Sequence, residues 1–268
     1  MLAAVLAFPD KGNAGIEVPC EYSAGLIWVH VSARGASEPL QFLLDSGASQ
    51  SLINTACARR LGLTARTGRP VVGVNWQSIA SEVSDFEGDL AGIPLPRSIL
   101  AIDLKRVVVS TDRRVDGIIG LDFFRPHIVQ INYVQQSVRF IRRGEVNAVG
   151  DRFSLVPRNG ALCVRAMVNS TPRLLRLDTG CNSAIECVEL NSKRQERAAP
   201  SVAVQAGSRS QVTRAQLALE SLELTGVESG WHGKRFFPGE DGLLGNGVLS
   251  RFTVTVDAAG SRLYLAKH

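Results

Sequence analysis

The sequence predicts an all-β protein of two lobes, with short helices and an internal duplication. Three observations support this prediction. The stretch that begins at Asp116 aligns without a gap on the stretch that begins at Asp241, an offset of 125 residues. Each half carries a strand-like run, a turn and a second strand that ends on Asp-Ser/Thr-Gly. Both halves close on segments in which apolar and polar residues alternate, as they do in half-buried strands. A solenoid would need more and shorter repeats, so this pattern indicates two duplicated lobes.

The same four elements are predicted in each half: an opening strand, a short helix after the triplet, a returning hairpin and a closing hairpin. In the first half they span residues 26–31, 54–61, 71–95 and 129–141. In the second half they span residues 162–168, 185–192, 202–224 and 254–266.

Three segments are predicted along the chain: a lead segment at residues 1–20, a first lobe at 21–146 and a second lobe at 147–268. The boundary between the lobes is expected within 142–160, which is polar and rich in Gly and Pro, as linkers are.

The composition excludes several classes of protein. Of the 268 residues, 45% are hydrophobic and 21% charged, which allows a packed core and argues against a disordered or collagen-like chain. No apolar run approaches the roughly 18 residues of a spanning helix, so we expect no membrane span. The net charge of +5 comes without a basic stripe interleaved with aromatic residues, so we expect no nucleic-acid partner. The apolar first eight residues resemble part of a signal peptide, which favours export or a periplasmic location without assigning a compartment.

The most informative residues are two triplets, Asp45-Ser46-Gly47 and Asp178-Thr179-Gly180. One such triplet is weak evidence, because Asp and Gly are common in ordinary turns. Here each triplet follows a hydrophobic strand and precedes an apolar-apolar-Gly element, at Ile118-Ile119-Gly120 in one half and Leu243-Leu244-Gly245 in the other. This repeated context makes two unrelated turns a poor explanation.

These residues resemble the aspartic protease family, and within it the retropepsin-like branch, in particular its bacterial single-chain members. The resemblance covers about residues 23–266 and implies a two-lobed, pepsin/retropepsin-like acid protease fold with Asp45 and Asp178 as the catalytic dyad. It also implies hydroxyls that bond across to the opposite loop, amides that hold the carboxylates, and apolar-Gly elements that brace the loops. The residues given these supporting roles are Ser46, Gly47, Thr179, Gly180, Ile119, Gly120, Leu244 and Gly245.

Paired carboxylates have a chemistry that follows from their charge. Two carboxyl groups about 3 Å apart cannot both ionise easily, because their negative charges repel, so the pair shares one proton. The carboxylate can then activate a water while the carboxylic acid polarises the scissile carbonyl, and the reaction requires neither metal nor cofactor. Ala48 supplies no hydroxyl to the dyad, so we expect a mildly acidic optimum, about pH 4 to 6. Cys181 is the main departure from the family pattern.

Other residues are weaker candidates. Trp76 and Gly207 lie in the predicted flap tips and are candidate substrate contacts. Asp116 and Asp241 match in the repeat, and we interpret both as turn residues. No HExxH or GxSxG motif indicates a zinc or serine hydrolase. The five cysteines form no CxxC pair and are interpreted as buried free thiols.

The predicted function is an aspartic endopeptidase that acts as a monomer on an extended peptide or protein substrate, since one chain supplies both aspartates. The alternative is a catalytically silent peptide-binding module with the same fold, because a fold does not guarantee an activity. A narrow processing role on one partner protein is a third possibility.

Overall fold

The computed structural model describes residues 15–73, 76–105, 113–143, 149–189 and 211–268. Strands predominate, and the described helices have six residues or fewer, too short to cross a bilayer. The first half holds β1 (Gly15–Pro19), β2 (Glu21–Ser23), β3 (Leu26–Ala33), β4 (Leu40–Leu44), β5 (Leu52–Asn54), α1 (Thr55–Arg60), β6 (Ala65–Gly73), β7 (Trp76–Val83), β8 (Gly88–Leu90), β9 (Ile93–Pro94), β10 (Ile99–Ile102), β11 (Gly117–Ile119), α2 (Leu121–Phe124), β12 (Ile128–Asn132) and β13 (Ser137–Ile141). The second half holds β14 (Asp151–Arg158), β15 (Ala161–Val168), β16 (Thr171–Leu177), β17 (Ile185–Val188), β18 (Gln211–Leu219), β19 (Leu222–His232), β20 (Gly242–Leu244), α3 (Asn246–Leu249), β21 (Phe252–Asp257) and β22 (Arg262–Lys267).

The predicted all-β, duplicated architecture is confirmed by the strand pairing. In the first half β11 lies between β4, to which it is parallel, and β5, to which it is antiparallel. In the second half β20 lies in the same way between β16 and β17. Each Asp-Ser/Thr-Gly triplet directly follows β4 or β16, so the two triplets occupy equivalent places in the two halves.

A shared sheet joins the halves through β12 and β21. Six neighbouring strands of this twelve-stranded sheet run in the order β1-β13-β12-β21-β22-β14, with three strands from each half, and the sheet continues from β14 into β15. At the centre Gln130 pairs with Thr255, and the Gln130 Nε2 atom donates to Thr255 Oγ1 over 3.2 Å. These residues are 125 positions apart, the offset of the sequence repeat, so the local twofold axis passes between them.

The shared sheet also shows where the ends of each half lie. β1 is the counterpart of β14, because each pairs with the second strand of a closing hairpin, but β1 is an edge strand whereas β14 also pairs with β15. The predicted lead segment 1–20 therefore contains a strand of this sheet, and the predicted boundary region 142–160 contains β14. The division into segments 1–20, 21–146 and 147–268 stays a prediction.

The helix expected at residues 54–61 is present as α1, and the Asn54 side chain accepts a hydrogen bond from the Ala56 amide as its N-cap. The helix expected at residues 185–192 is wrong over its described part. Residues 185–188 form β17, which is paired on both sides and buried at every position. Residues 190–192 lie outside the described part of the chain.

The hairpins differ from their expected limits. In the first half the hairpin begins earlier, since β6 starts at Ala65 and pairs with β7. In the second half β18 and β19 form a hairpin from Gln211 to His232, and residues 202–210 are not described. Both closing hairpins, β12–β13 and β21–β22, form where alternation predicts them.

Candidate active site

The backbone of each triplet is held by the strand that the repeat places beside it. The Asp45 amide donates to the Ile119 carbonyl over 2.9 Å, and the Asp178 amide donates to the Leu244 carbonyl over 3.0 Å. The backbone of each aspartate is therefore fixed in the same way, at the end of a buried strand in its own half.

The two loops are bonded to each other through their hydroxyl residues. The Ser46 amide donates to Thr179 Oγ1 (2.9 Å), and the Thr179 amide donates to Ser46 Oγ (3.1 Å). Each hydroxyl in turn donates across to the opposite strand, Ser46 to the Leu177 carbonyl and Thr179 to the Leu44 carbonyl, both over 2.9 Å. This symmetric set of four bonds fixes the two aspartates relative to one another.

The glycines of the triplets are required by close approach. A Cβ at Gly47 would lie 2.5 Å from Cγ of Asp178, and one at Gly180 would lie 2.4 Å from Cγ of Asp45. Neither glycine has a positive φ, so backbone strain is not the reason for their presence. Each carboxyl group thus lies against the glycine of the opposite loop.

The glycines that follow the bracing strands are explained in the same way. A Cβ at Gly120 would lie 2.4 Å from the backbone of Gln50, and one at Gly245 would lie 2.4 Å from the Ser183 carbonyl oxygen. In both halves the chain that carries the aspartate passes too close to admit a side chain.

The carboxyl groups of Asp45 and Asp178 lie against opposite loops of the same site, but their backbone donors differ. The amides of Gly47 and Ala48 both donate to Asp45 Oδ1, over 2.8 and 3.0 Å. Gly180 donates to Asp178 Oδ1 over 2.9 Å. Since amide donors stabilise the ionised form, Asp45 is the better supported carboxylate.

Burial raises the pKa of both carboxyl groups. For Asp45 the Ala48 and Gly47 amides oppose this effect. The pKa of Asp178 is raised further, well above its ordinary value, because the neighbouring Asp45 charge adds to the burial. The pair therefore holds one proton over a wide pH range, and that proton belongs to the pair as a unit.

The residues of the site come together on a fold that is known from other proteins. Residues 29–123 match a family model described as aspartyl protease. The structure is similar to the aspartic proteinase from Irpex lacteus, with a TM-score of 0.56 at 14% identity, covering 95% of this chain and 97% of that one. It is also similar to Basic 7S globulin from soybean, with a TM-score of 0.55 at 11% identity and 95% of each chain covered. These findings show that the chain has the fold of an aspartic proteinase and that residues 29–123 resemble aspartyl proteases in sequence. No curated protein matches the sequence.

The two repeat-matched acids, Asp116 and Asp241, brace the strands that lead to the triplets. Asp116 accepts from the Gln41 amide and Asp241 from the Leu174 amide, each over 3.0 Å. Each acid is also paired with arginine, Asp116 with two and Asp241 with Arg235. All their described contacts fit the structural interpretation of these residues.

A buried ion pair beside the dyad was not predicted. Arg176 lies two residues before Asp178 on β16 and pairs with Glu240, with side chains 5% and 1% exposed. The sequence contained one signal for it, because the strand that precedes the second triplet reads Leu-Arg-Leu where the first reads Phe-Leu-Leu. A charge inside such a run is rarely buried without a partner.

Sequence reasoning also missed Asn246, which is fully buried at the start of α3. Its Nδ2 donates to the Thr179 carbonyl (2.7 Å) and the Gly25 carbonyl (2.8 Å), and its Oδ1 accepts from the Tyr133 hydroxyl (2.8 Å). One side chain therefore joins the second triplet to two points of the first half. Its repeat counterpart is the apolar Leu121, so the repeat gave no signal.

Cys181 is buried behind the second triplet, among Phe236, Leu243 and Phe237. Burial and the nearby charge of Asp178 raise the pKa of its thiol well above the ordinary value, so the thiol stays protonated. Its uncharged, compact side chain fits the space without supplying a base.

The structure describes little of the predicted flap tips. Trp76 begins β7, and its side chain is not described. Gly207 lies outside the described residues. Across the described part of the chain, His, Cys, Asp and Glu side chains form no group of three or more that could hold a metal ion.

Proposed function

We propose that the protein is an aspartic endopeptidase in which Asp45 and Asp178 act together on a water molecule. The observation that carries this proposal is the placement of two carboxyl groups, each against the glycine of the opposite loop, on symmetric, cross-bonded loops. A protein that needed these loops only for stability would have no use for two buried acids whose charges oppose each other.

The chemistry follows from one shared proton. The ionised carboxylate removes a proton from the water, and the water oxygen attacks the carbonyl carbon of the peptide bond. The other carboxyl group donates its proton to the carbonyl oxygen, giving a neutral tetrahedral diol. Collapse of the diol breaks the C–N bond: the protonated carboxyl group gives its proton to the amide nitrogen, and the other carboxylate takes a proton from a diol hydroxyl, so the dyad is again singly protonated.

The substrate that we propose is an extended peptide or protein segment, bound by main-chain hydrogen bonds in the manner of an added strand. Because both aspartates come from one chain, the enzyme is proposed to act as a monomer. Ala48, which has no hydroxyl to offer the dyad, supports assignment to the retropepsin-like branch.

The experiment that tests this function is cleavage of a peptide library between about pH 3 and 7, read by mass spectrometry. Asp45→Asn and Asp178→Asn variants, shown to be folded by circular dichroism, serve as controls. Cleavage by the wild type that both substitutions abolish is the expected result. Cleavage that survives either substitution would overturn the dyad mechanism. A folded wild type that binds peptides and cuts none would establish the silent binding module instead.

A further inference from the structure

The buried side chain of Arg176 connects the second half of the molecule to the first active-site loop. It extends from β16, and its Nη1 atom donates to the carbonyl oxygen of Gly47 over 2.8 Å. The amide of the same Gly47 donates to Asp45. Arg176 therefore holds the residue that stabilises the ionised form of the opposite aspartate.

The guanidinium of Arg176 is held on its other sides as well. Its Nε and Nη2 atoms each donate to the Glu240 carboxylate over 2.7 Å, in the two-pronged geometry that suits arginine. Glu240 also accepts from Asn159 Nδ2 over 2.7 Å. The Phe237 ring lies against the guanidinium, with Cζ 3.5 Å from the ring centroid. Arg176 is thus fixed in one orientation.

The first half forms the same frame without such an ion pair. The counterpart of Arg176 in the first half is Leu43, which packs in an apolar cluster beside the first triplet. The same backbone arrangement therefore forms with leucine at this position. A buried ion pair contributes little net stability compared with well-packed apolar residues, because both charges lose their hydration. A role in the site accounts for the pair better than a role in folding.

We propose that Arg176 is a positioning residue of the dyad, which anchors Gly47 and is itself clamped by Glu240. This inference rests on the proposed function. The positive charge of Arg176 also lowers the pKa of both Asp45 and Asp178, against the burial that raises them. It thereby keeps one carboxyl group ionised at a mildly acidic pH.

Other charged or titratable groups surround this cluster from the neighbouring elements. Two of them form a second buried pair, Glu186 on β17 and His232 on β19, with 2.6 Å between the carboxylate oxygen and Nε2. This second pair makes no described contact with Gly47. The remaining groups are Arg158, Cys163, Cys181 and Arg235.

The test compares two double variants that each remove one buried pair without leaving a single stranded charge. The first is Arg176→Met with Glu240→Gln, and the matched control is Glu186→Gln with His232→Gln. The dyad is titrated by NMR of ¹³C-labelled aspartate, which needs no activity, and the pH profile of kcat/KM is measured beside it.

In the first double variant the apparent pKa values of the dyad are expected to rise by about one unit. The acidic limb of the pH profile should move upward with them. We expect kcat to fall by about 10- to 100-fold with KM changed much less, because loss of the Gly47 anchor displaces the catalytic carboxyl group and does not remove a substrate contact. The control should leave the dyad titration in place. An unchanged titration in the first variant, or an equal shift in the control, would overturn the proposal.

A single Arg176→Lys variant distinguishes the effect of the charge from the effect of the hydrogen-bond geometry. It also provides the test if the double variant does not fold. The lysine keeps the charge but cannot bond Gly47 and Glu240 together in the same fork. We expect a dyad titration near that of the wild type with a reduced kcat, and a wild-type kcat would contradict the positioning role. If the wild type cuts no peptide, the proposed function fails, and the NMR titration still decides the role of Arg176.

Discussion

The two halves of the molecule build the same frame around the dyad with different chemistry beside it. In the first half, Leu43, Ile118 and Leu52 lie next to one another on β4, β11 and β5 in an apolar cluster. In the second half, the matching places on β16, β20 and β17 hold Arg176, Leu243 and Glu186. The frame is therefore compatible with either an apolar or a charged layer.

The charged layer required its own steric adjustment. In the first half Leu52 pairs with Leu100, whereas in the second half Glu186 pairs with Gly230. A Cβ at Gly230 would lie 2.0 Å from a Glu186 carboxylate oxygen, so the carboxylate fills the space of the missing side chain. What the halves do share is the triplet loops, the bracing acids and the glycines at close contacts. These shared features define the frame.

The largest loss of activity is expected from substitution of the triplet glycines, a feature that the two halves share. Gly47→Ala and Gly180→Ala each place a methyl group against the opposite carboxyl, and we expect each to lower kcat/KM by at least about 100-fold. The two losses should be equal within a few fold. Peptide cleavage by purified, folded variants provides the measurement. A variant with near-normal activity in one half only would show that the loops are not equivalent.

A second prediction concerns the layer in which the halves differ. Leu43→Arg places an unpaired charge in the apolar cluster of the first half, and should lower the free energy of unfolding by about 3–5 kcal/mol. Leu43→Met, the control, keeps the volume and should cost less than about 1.5 kcal/mol. Urea titration measures both. Equal costs would mean that the first half accepts a charge without the partner that the second half supplies.

Asn246 tests the junction between the halves. Asn246→Leu introduces the residue of the first half, Leu121, and removes the hydrogen bonds to Thr179, Gly25 and Tyr133. We expect a loss of about 2–4 kcal/mol in unfolding free energy, because buried polar groups lose their partners. Tyr133→Phe removes one of the three bonds and should cost about 1 kcal/mol. A cost for Asn246→Leu no larger than that of Tyr133→Phe would contradict the bridging role.

The smallest expected effect is the change in folding stability when one dyad aspartate is made neutral. The pKa of each carboxyl is higher in the folded protein, so the protein loses stability as the pH rises through the unfolded-state value near 3.9. A neutral asparagine removes this penalty. At pH 7 we therefore expect the Asn variants to be more stable by about 1 kcal/mol, or about 2–4 °C in Tm.

The halves should differ in the size of this gain. Asp178→Asn should stabilise more than Asp45→Asn, since the remaining Asp45 keeps its two amide donors. Thermal melts at pH 7 and at about pH 3.5 measure this, with the gain absent at the lower pH. A larger gain from Asp45→Asn would reverse the assignment of the better supported carboxylate.

The sequence alone determined the duplication and its register, because a repeat is a property of the linear chain. The offset that aligns Asp116 with Asp241 also aligns Gln130 with Thr255, the pair at the centre of the shared sheet. The sequence also indicated both triplets and their bracing elements. These features depend on local patterns that each half carries for itself.

Only the tertiary structure decided the remaining features, because they depend on residues far apart in the chain. Residues 185–188 are a short apolar run with no decisive periodicity, and pairing with β19 and β20 makes them a strand. The position of Arg176 within a strand indicates a partner, but only the structure identifies that partner as Glu240, 64 positions away. Gly47 and Gly180 fit an ordinary turn in sequence, yet each is required by a carboxyl group from the other half of the protein.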